Sequence, residues 1–382
     1  MKFYDNITEE LNQLTEHNRL RSLKDISGEW RLNLSSNDYV GAAVNRKWQN
    51  EFYQSLNKPK FSDEFKLTAS SSRLLTGNHS GYHQLETELS MLYNGREALV
   101  FNSGYHANVG ILPAITTAKD LILSDKLNHA SIIDGLRLSD AKFKRYRHND
   151  YNQLEQLLAD NSAKYRQIFI ITESLFSMDG DIADLNRLVA LKTRYNAILI
   201  VDEAHAVGVF GSHGAGICEE QGVIADIDII IGTFGKALAS LGAYAITNGE
   251  LKNYLINRMR PLIFTTALPP AVVNWSRFVL KKIIKCQAER QHLQQLGTFC
   301  RNELAKHHIA TQGSSHIIPI MIGDDKKSVV LAEKLRNEGF LVFPIRPPTV
   351  PPNSSRLRLS LSATMNKNDL KEFIDCLCNL IG

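Results

Sequence analysis

Through the middle of the chain, short uninterrupted apolar runs alternate with stretches whose Leu and Ile recur at helical spacing. No other feature restricts the fold as strongly. The runs cover 98–101, 121–123, 168–172, 197–201 and 227–231, with helical patterns at 129–138, 151–158 and 184–195 among them. Strands that are apolar at every position, not at every second one, belong to a sheet covered on both faces. The prediction is an α/β fold with a large, mostly parallel, doubly wound sheet. Ligands of such sheets bind at the carboxyl ends of the strands, so chemistry is sought where the apolar runs stop.

From Pro269 the pattern changes. One long helix is predicted over 271–306, bent near its end by Gly297. Strands at 316–322, 340–345 and 356–361 follow, separated by helices at 326–337 and 368–380. The expected layout is an N-terminal segment (1–45), a large α/β domain (46–270) and a smaller α+β domain (271–382). The Pro-rich IRPPTVPPNSSR (345–356) reads as a fixed, extended loop.

With 382 residues, 43% hydrophobic and 22% charged, the chain is neither disordered nor fibrous. A net charge of +4 gives no reason to expect nucleic acid or a membrane as partner. Cys218, Cys286, Cys300, Cys376 and Cys378 are scattered and odd in number, so neither a disulfide framework nor a metal site is expected. The N-terminus is polar and acidic where a signal peptide is apolar, and no long uncharged apolar run occurs. A cytoplasmic protein acting on small molecules is the expectation.

The run AILIVDEAH ends in Asp202 and His205. A DEAH string also occurs in some nucleotide hydrolases, but those require a GxxxxGK[ST] loop upstream, and this chain has none. The next run, DIDIIIGTFGKALAS, ends in Thr233 and Lys236. A lysine and a carboxylate at one sheet edge suit pyridoxal phosphate. The amine can form an imine with the aldehyde, and the carboxylate can keep the ring nitrogen protonated so that the ring withdraws electrons. Thr233 and free N–H groups of the turn after 98–101, at Gly104 and Tyr105, would take the phosphate. His129 opens a helix where its imidazole can stack on a flat ring, and Ser177 can bond a phenolic oxygen. Each residue alone has an ordinary reading: a solvated lysine, a helix cap, a strand-to-helix turn, or a turn at Asp179-Gly180.

Taken together, LSSNDYVG (34–41), SSRLLTGNHSGYHQLE (71–86), NSGYHAN (102–108), NHASIIDG (128–135), ESLFSMDGD (173–181), DEAHAVGVFG (202–211), GTFGKALAS (232–240) and FTTALPP (264–270) carry a resemblance. The chain resembles the α-oxoamine synthases, fold-type I pyridoxal-phosphate transferases, along nearly its whole length. The resemblance implies Lys236 as imine lysine, Asp202 as partner of the ring nitrogen and His129 as stacking ring. It places His205 and Ser177 near the phenolic oxygen, and Thr233, Gly104 and Tyr105 in the phosphate cup. Thr266 would be contributed by the neighbouring subunit of a homodimer.

Arg358 matches the family's carboxylate-binding arginine, a task that suits a planar guanidinium. IRPPTVP (345–351) is similar to members that join L-alanine to a pimeloyl thioester, carried by coenzyme A or an acyl carrier protein, on the route to biotin. Thr349, Arg21 and Asn37 match substrate contacts of those members. Met365 stands where the family commonly has His. Two alternatives stay open: a member joining glycine to acetyl-CoA, and a catalytically silent scaffold, against which the presence of Lys236 counts.

Overall fold

The computed structural model describes residues 2–55 and 65–381. Twelve strands are described: β1 (Leu32–Asn33), β2 (Glu97–Phe101), β3 (Leu121–Asp125), β4 (Lys142–Tyr146), β5 (Ile168–Glu173), β6 (Ile198–Asp202), β7 (Ile229–Thr233), β8 (Ala243–Thr247), β9 (Ile317–Gly323), β10 (Phe340–Leu341), β11 (Pro344–Ile345) and β12 (Ser355–Ser360). The described residues form two compact units. The larger runs from Asp38 to Phe176 and from Ile182 to Arg290. The smaller comprises the chain up to Asn37, Ser177–Asp181, and everything from Gln291 onward.

The larger unit is built on a seven-stranded sheet of order β2-β8-β7-β6-β5-β3-β4. Every pairing from β7 through β4 is parallel, and β8 alone among these strands is reversed, as the two antiparallel pairings that flank it show. Strands β3, β5, β7 and β8 are buried along their whole length, the burial that uninterrupted apolar runs imply. Helices Gly104–Ile115 and Ala130–Leu138 cover one face, packing Ala107, Ile111, Ile132 and Leu136 onto Phe101, Ile122 and Ile171. The mostly parallel doubly wound sheet expected from the sequence is present.

The structure differs from the sequence expectations at several elements. Strand β4, KFKRY, is an exposed, charged edge strand with no apolar run to mark it, a common way of blunting a sheet edge. Strand β8, AYAIT, carries no run of large apolar residues to mark it, because small alanines interrupt it. The strand expected at 227–231 begins at Ile229; just before it, Asp228 donates its N–H to the Leu199 carbonyl while its carboxylate accepts the Leu199 N–H and pairs with the Lys192 ammonium. The long helix over 271–306 is two helices, Pro270–Ile283 and Gln287–Lys306. It breaks where the buried Arg290 guanidinium takes the carbonyls of Ile283 and Ile284, not at Gly297. Gly297 lies within the second helix, where a Cβ would come within 3.1 Å of the Ser315 carbonyl oxygen.

The smaller unit contains the antiparallel sheet β11-β12-β9 and a parallel pair in which Leu32 and Asn33 of β1 face Phe340 and Leu341 of β10. Through that pairing the N-terminal segment belongs with the C-terminal residues, whereas 38–45 and 271–290 belong to the larger unit. This division differs from the three consecutive segments expected. The run expected at 340–345 is split between two sheets, as β10 and β11.

Candidate active site

In the larger unit, β2, β3, β5, β6 and β7 all end at one edge of the sheet, and a cavity of about 190 Å³ lies there. Gly104, Tyr105, His129, Asp202, His205, Thr233 and Lys236 line it, together with Asn108, Ser131 and Glu173. Seven of the nine residues expected to hold a cofactor are thus brought together. Of the other two, Thr266 is an exposed residue of the same unit, whose carbonyl accepts the Asn102 side-chain N–H at 2.7 Å. Ser177 belongs to the smaller unit.

Strand pairing places Glu173 opposite Asp202, so two carboxylates meet at adjacent strand ends. Asp202 is 5% exposed; its Oδ1 accepts the Ala204 N–H at 2.8 Å and its Oδ2 the Asn108 side-chain N–H at 2.7 Å. Glu173 Oε1 accepts the His129 N–H at 2.6 Å, yet burial, and then the charge of Asp202, push its carboxyl up to about 8. Near pH 7 Glu173 therefore carries a proton.

Asn108 joins Asp202 to His129. Its second N–H goes to Ser131 Oγ at 3.0 Å, and Ser131 Oγ lies 2.8 Å from His129 Nδ1. Because Nδ1 also accepts the Ser131 backbone N–H, the hydroxyl proton points to Nδ1 and the ring proton resides on Nε2. Burial, with the Lys236 charge adding to it and Asp202 opposing, holds His129 below the usual imidazole value. His205, 6% exposed, is fixed through Nδ1 by the buried Tyr39 hydroxyl at 2.6 Å.

Thr233 Oγ1 donates to the Gly242 carbonyl and accepts the Gly235 N–H, both at 3.1 Å. Facing it, the helix Gly104–Ile115 begins with Ser103 as N-cap, so backbone N–H groups of the first turn lie at the cavity. A Cβ on Gly104 would meet only Thr233, at 3.9 Å, so the approach to those groups is open. The Tyr105 hydroxyl donates to Asp134 at 2.8 Å. An amine, a carboxylate, a neutral imidazole and a helix N-terminus with an adjacent hydroxyl form the donor set that pyridoxal phosphate requires. The residues present fit that cofactor.

The expected substrate residues pair within the smaller unit. Arg21 Nη2 donates to Thr349 Oγ1 at 2.9 Å. Arg358 Nε donates to the Ser177 carbonyl, and its Nη groups reach Asn37 Oδ1 only at 3.4 and 3.5 Å. Arg356, the neighbouring arginine, is buried and ion-paired with Asp179. Met365 is buried, its sulfur 3.5 Å from the Ser362 N–H. Among the described residues no cluster of three or more His, Cys, Asp or Glu is placed to hold a metal.

Sequence reasoning assigned no role to Glu173, Asn108 or Tyr39. Glu173 carried a usable signal, since it ends an apolar run as Asp202 does. Asn108 lies one helical turn after Gly104, and Tyr39 lies far from His205 in sequence, so only the folded chain reveals their partners.

The sequence model of the family described as aminotransferase class I and II matches residues 31–377. An 8-amino-7-oxononanoate synthase of Chlorobaculum parvum is 51% identical over 375 residues, covering 96% of each chain. The crystal structure of an 8-amino-7-oxononanoate synthase from Francisella tularensis superposes with a TM-score of 0.77 at 28% identity, over 92% of this chain and 97% of that one. A serine palmitoyltransferase from S. paucimobilis, bound to pyridoxal phosphate and myriocin, superposes with a TM-score of 0.89 at 25% identity, over 99% and 97%.

Proposed function

This chain belongs to the class I and II aminotransferase family and, within it, to the α-oxoamine synthases, and we propose that it condenses L-alanine with a pimeloyl thioester. The products are 8-amino-7-oxononanoate, CO2 and the free thiol, on the route to biotin. The observation that carries this reading is the convergence of Lys236, Asp202 and His129 on one cavity, in a chain half identical to an enzyme of that name.

Lys236 would hold the cofactor's aldehyde, Asp202 its ring nitrogen, His129 its ring face, and Thr233 with the first-turn N–H groups its phosphate. Once bound, pyridoxal phosphate supplies an electron sink for the amino acid's Cα. The carboxylate of Asp202, doubly hydrogen-bonded, would hold a proton on the ring nitrogen, on which that sink depends. Lys236 Nζ takes the Cα proton of L-alanine and returns one after CO2 leaves. Asn108 and Ser131 hold His129 in the tautomer with Nε2–H, a donor suited to the acyl carbonyl oxygen or the departing carboxylate. Tyr39 orients His205, which with Ser177 would serve the phenolic oxygen. Arg358 takes the alanine carboxylate, and Arg21, Asn37 and Thr349 contact the substrates.

The same reading includes a cytoplasmic homodimer with Thr266 donated across the interface. Exposed Leu67, Leu75 and Phe264 on the larger unit, 70–85% accessible, support an interface there. Among the described residues no helix is long and apolar enough to cross a membrane.

The test supplies purified protein and pyridoxal phosphate with L-alanine and pimeloyl-CoA or a pimeloyl carrier protein. Equal amounts of 8-amino-7-oxononanoate, CO2 and thiol are expected. Turnover confined to glycine and acetyl-CoA would assign the protein to the other branch of the family.

A further inference from the structure

A cleft of about 750 Å³ lies in the smaller unit, bounded by residues 307–310, residues 320–322 of β9, the helix Asp325–Asn337, and Leu380 with Ile381. The first of these walls is tied to β9, since the Met321 N–H donates to the Ala310 carbonyl and Thr311 bridges to Ile320. Ile320 and Leu331 are buried beneath the cleft, and Ile309, Met321, Ile322 and Leu380 are half-buried. From residue 291 onward, Val330 and Ile381, 42% and 50% accessible, are the only exposed large hydrophobics among the described residues. Both line this cleft. A stretch of chain that otherwise hides its large apolar side chains thus leaves two of them together.

The charged side chains of the cleft are all of one sign. Lys326, Lys327 and Lys334 line it, and no carboxylate does. The acidic residues of the same helix are engaged elsewhere: Asp325 pairs with Arg19 at 2.8 Å, and Glu333 lies 3.8 Å from Lys24 and from Arg336. Lys327, Val330, Leu331 and Lys334 follow one another at helical spacing, so two ammonium groups flank an apolar strip. His307 and His308 offer ring nitrogens on the opposite wall.

We propose that this cleft binds a free aliphatic carboxylate of medium chain length, with its chain on the apolar floor and its head group among the lysines. An uncharged apolar ligand would leave the ammonium groups without a partner, and a compact anion would leave Val330 and Ile381 in water. A carboxylate at the end of a chain satisfies both. The volume falls within the usual span of small-molecule sites, about 300–1,000 Å³. Such binding does not depend on the reaction proposed above, because none of the lining residues serves its substrates or cofactor.

Titration calorimetry on the pyridoxal phosphate-loaded protein, with decanoate, hexanoate and decanol, tests it. Decanoate should saturate a single site per chain. Kd for hexanoate should be higher by about tenfold or more, since each fully buried methylene is worth about fourfold. Decanol should bind about fivefold more weakly than decanoate, and the double variant Lys327→Gln, Lys334→Gln should weaken decanoate by a similar factor. Val330→Asp, which sets a carboxylate in the apolar strip, should remove the site. All three positions are exposed, so melting temperature and turnover of both variants should stay native. Equal affinity for decanol and decanoate, no dependence on chain length, or decanoate binding that both variants leave unchanged would each overturn the proposal. Absence of decanoate binding to the native protein would overturn it as well, and a change of sedimentation coefficient in Val330→Asp would then assign the cleft to contact between copies of the chain.

Discussion

Glu173 and Asp202 face each other across β5 and β6, and burial favours the protonated form of Glu173. Because the folded value of Glu173, about 8, lies above the unfolded carboxyl value, its protonated form stabilises the fold fully below about pH 4.5. That contribution is lost as pH rises toward 8. In cofactor-free protein, Glu173→Gln should therefore gain melting temperature relative to native as pH is raised from 5 to 8, and no further above it. A constant difference across that range would show that Glu173 is ionised throughout. Lys236→Ala should abolish both turnover and the borohydride-reducible link to the cofactor, since no other amine lines the cavity; near-native activity would remove the lysine from the chemistry. Arg358→Lys replaces a fork with a point charge, so KM for L-alanine should rise by about ten- to a hundredfold while KM for the thioester changes little. Unchanged alanine dependence with a lower melting temperature would make Arg358 structural.

Among the elements, the interruption between helices Pro270–Ile283 and Gln287–Lys306 depends on one side chain. Arg290, 3% exposed, donates to the carbonyls of Ile283, Ile284 and Ser212, so a single guanidinium satisfies a helix end and a neighbouring loop. Arg290→Ala leaves those carbonyls buried without donors. A loss of about 3 kcal/mol in urea unfolding is expected, from roughly 1.5–3 kcal/mol for each hydrogen bond to a charged group with partial replacement by water. A loss below about 0.5 kcal/mol would mean that the turn at 284–286 is held by its backbone alone. The periodicity of Ala, Val and Leu through 271–306 carries no mark of this break, because a buried arginine that caps a helix has the same helical spacing as an exposed one.

For the whole molecule, the pairing of β1 with β10 makes the smaller unit discontinuous in sequence. Leu34, fully buried, and Leu32, 7% exposed, come from the N-terminal segment. Burying two leucines contributes about 3–6 kcal/mol, comparable to the net stability of a small domain. A fragment covering 291–382 alone is thus expected to lack a cooperative melting transition by circular dichroism. Fusing residues 1–37 to its N-terminus should restore one. Cooperative melting of the shorter fragment would show that β1 is dispensable.

The order of apolar runs was enough to determine a doubly wound sheet, and with it the edge where Asp202, Thr233, Lys236, His129 and Gly104 had to collect, since residues that end parallel strands share one side by geometry. Elements with buried, periodic patterns were legible for the same reason; the charged edge strand β4 and the alanine-rich β8 were not, because their pairing partners rather than their own side chains make them strands. Tertiary structure alone decided that Asn108 ties Asp202 to His129, that Tyr39 holds His205, that Glu173 keeps its proton, and that residues 32–33 form a sheet with residues 340–341. Those outcomes depend on burial and on distances between residues remote in sequence, and a hydrogen bond or a shifted proton exists only once the chain has brought its partners within a few ångströms.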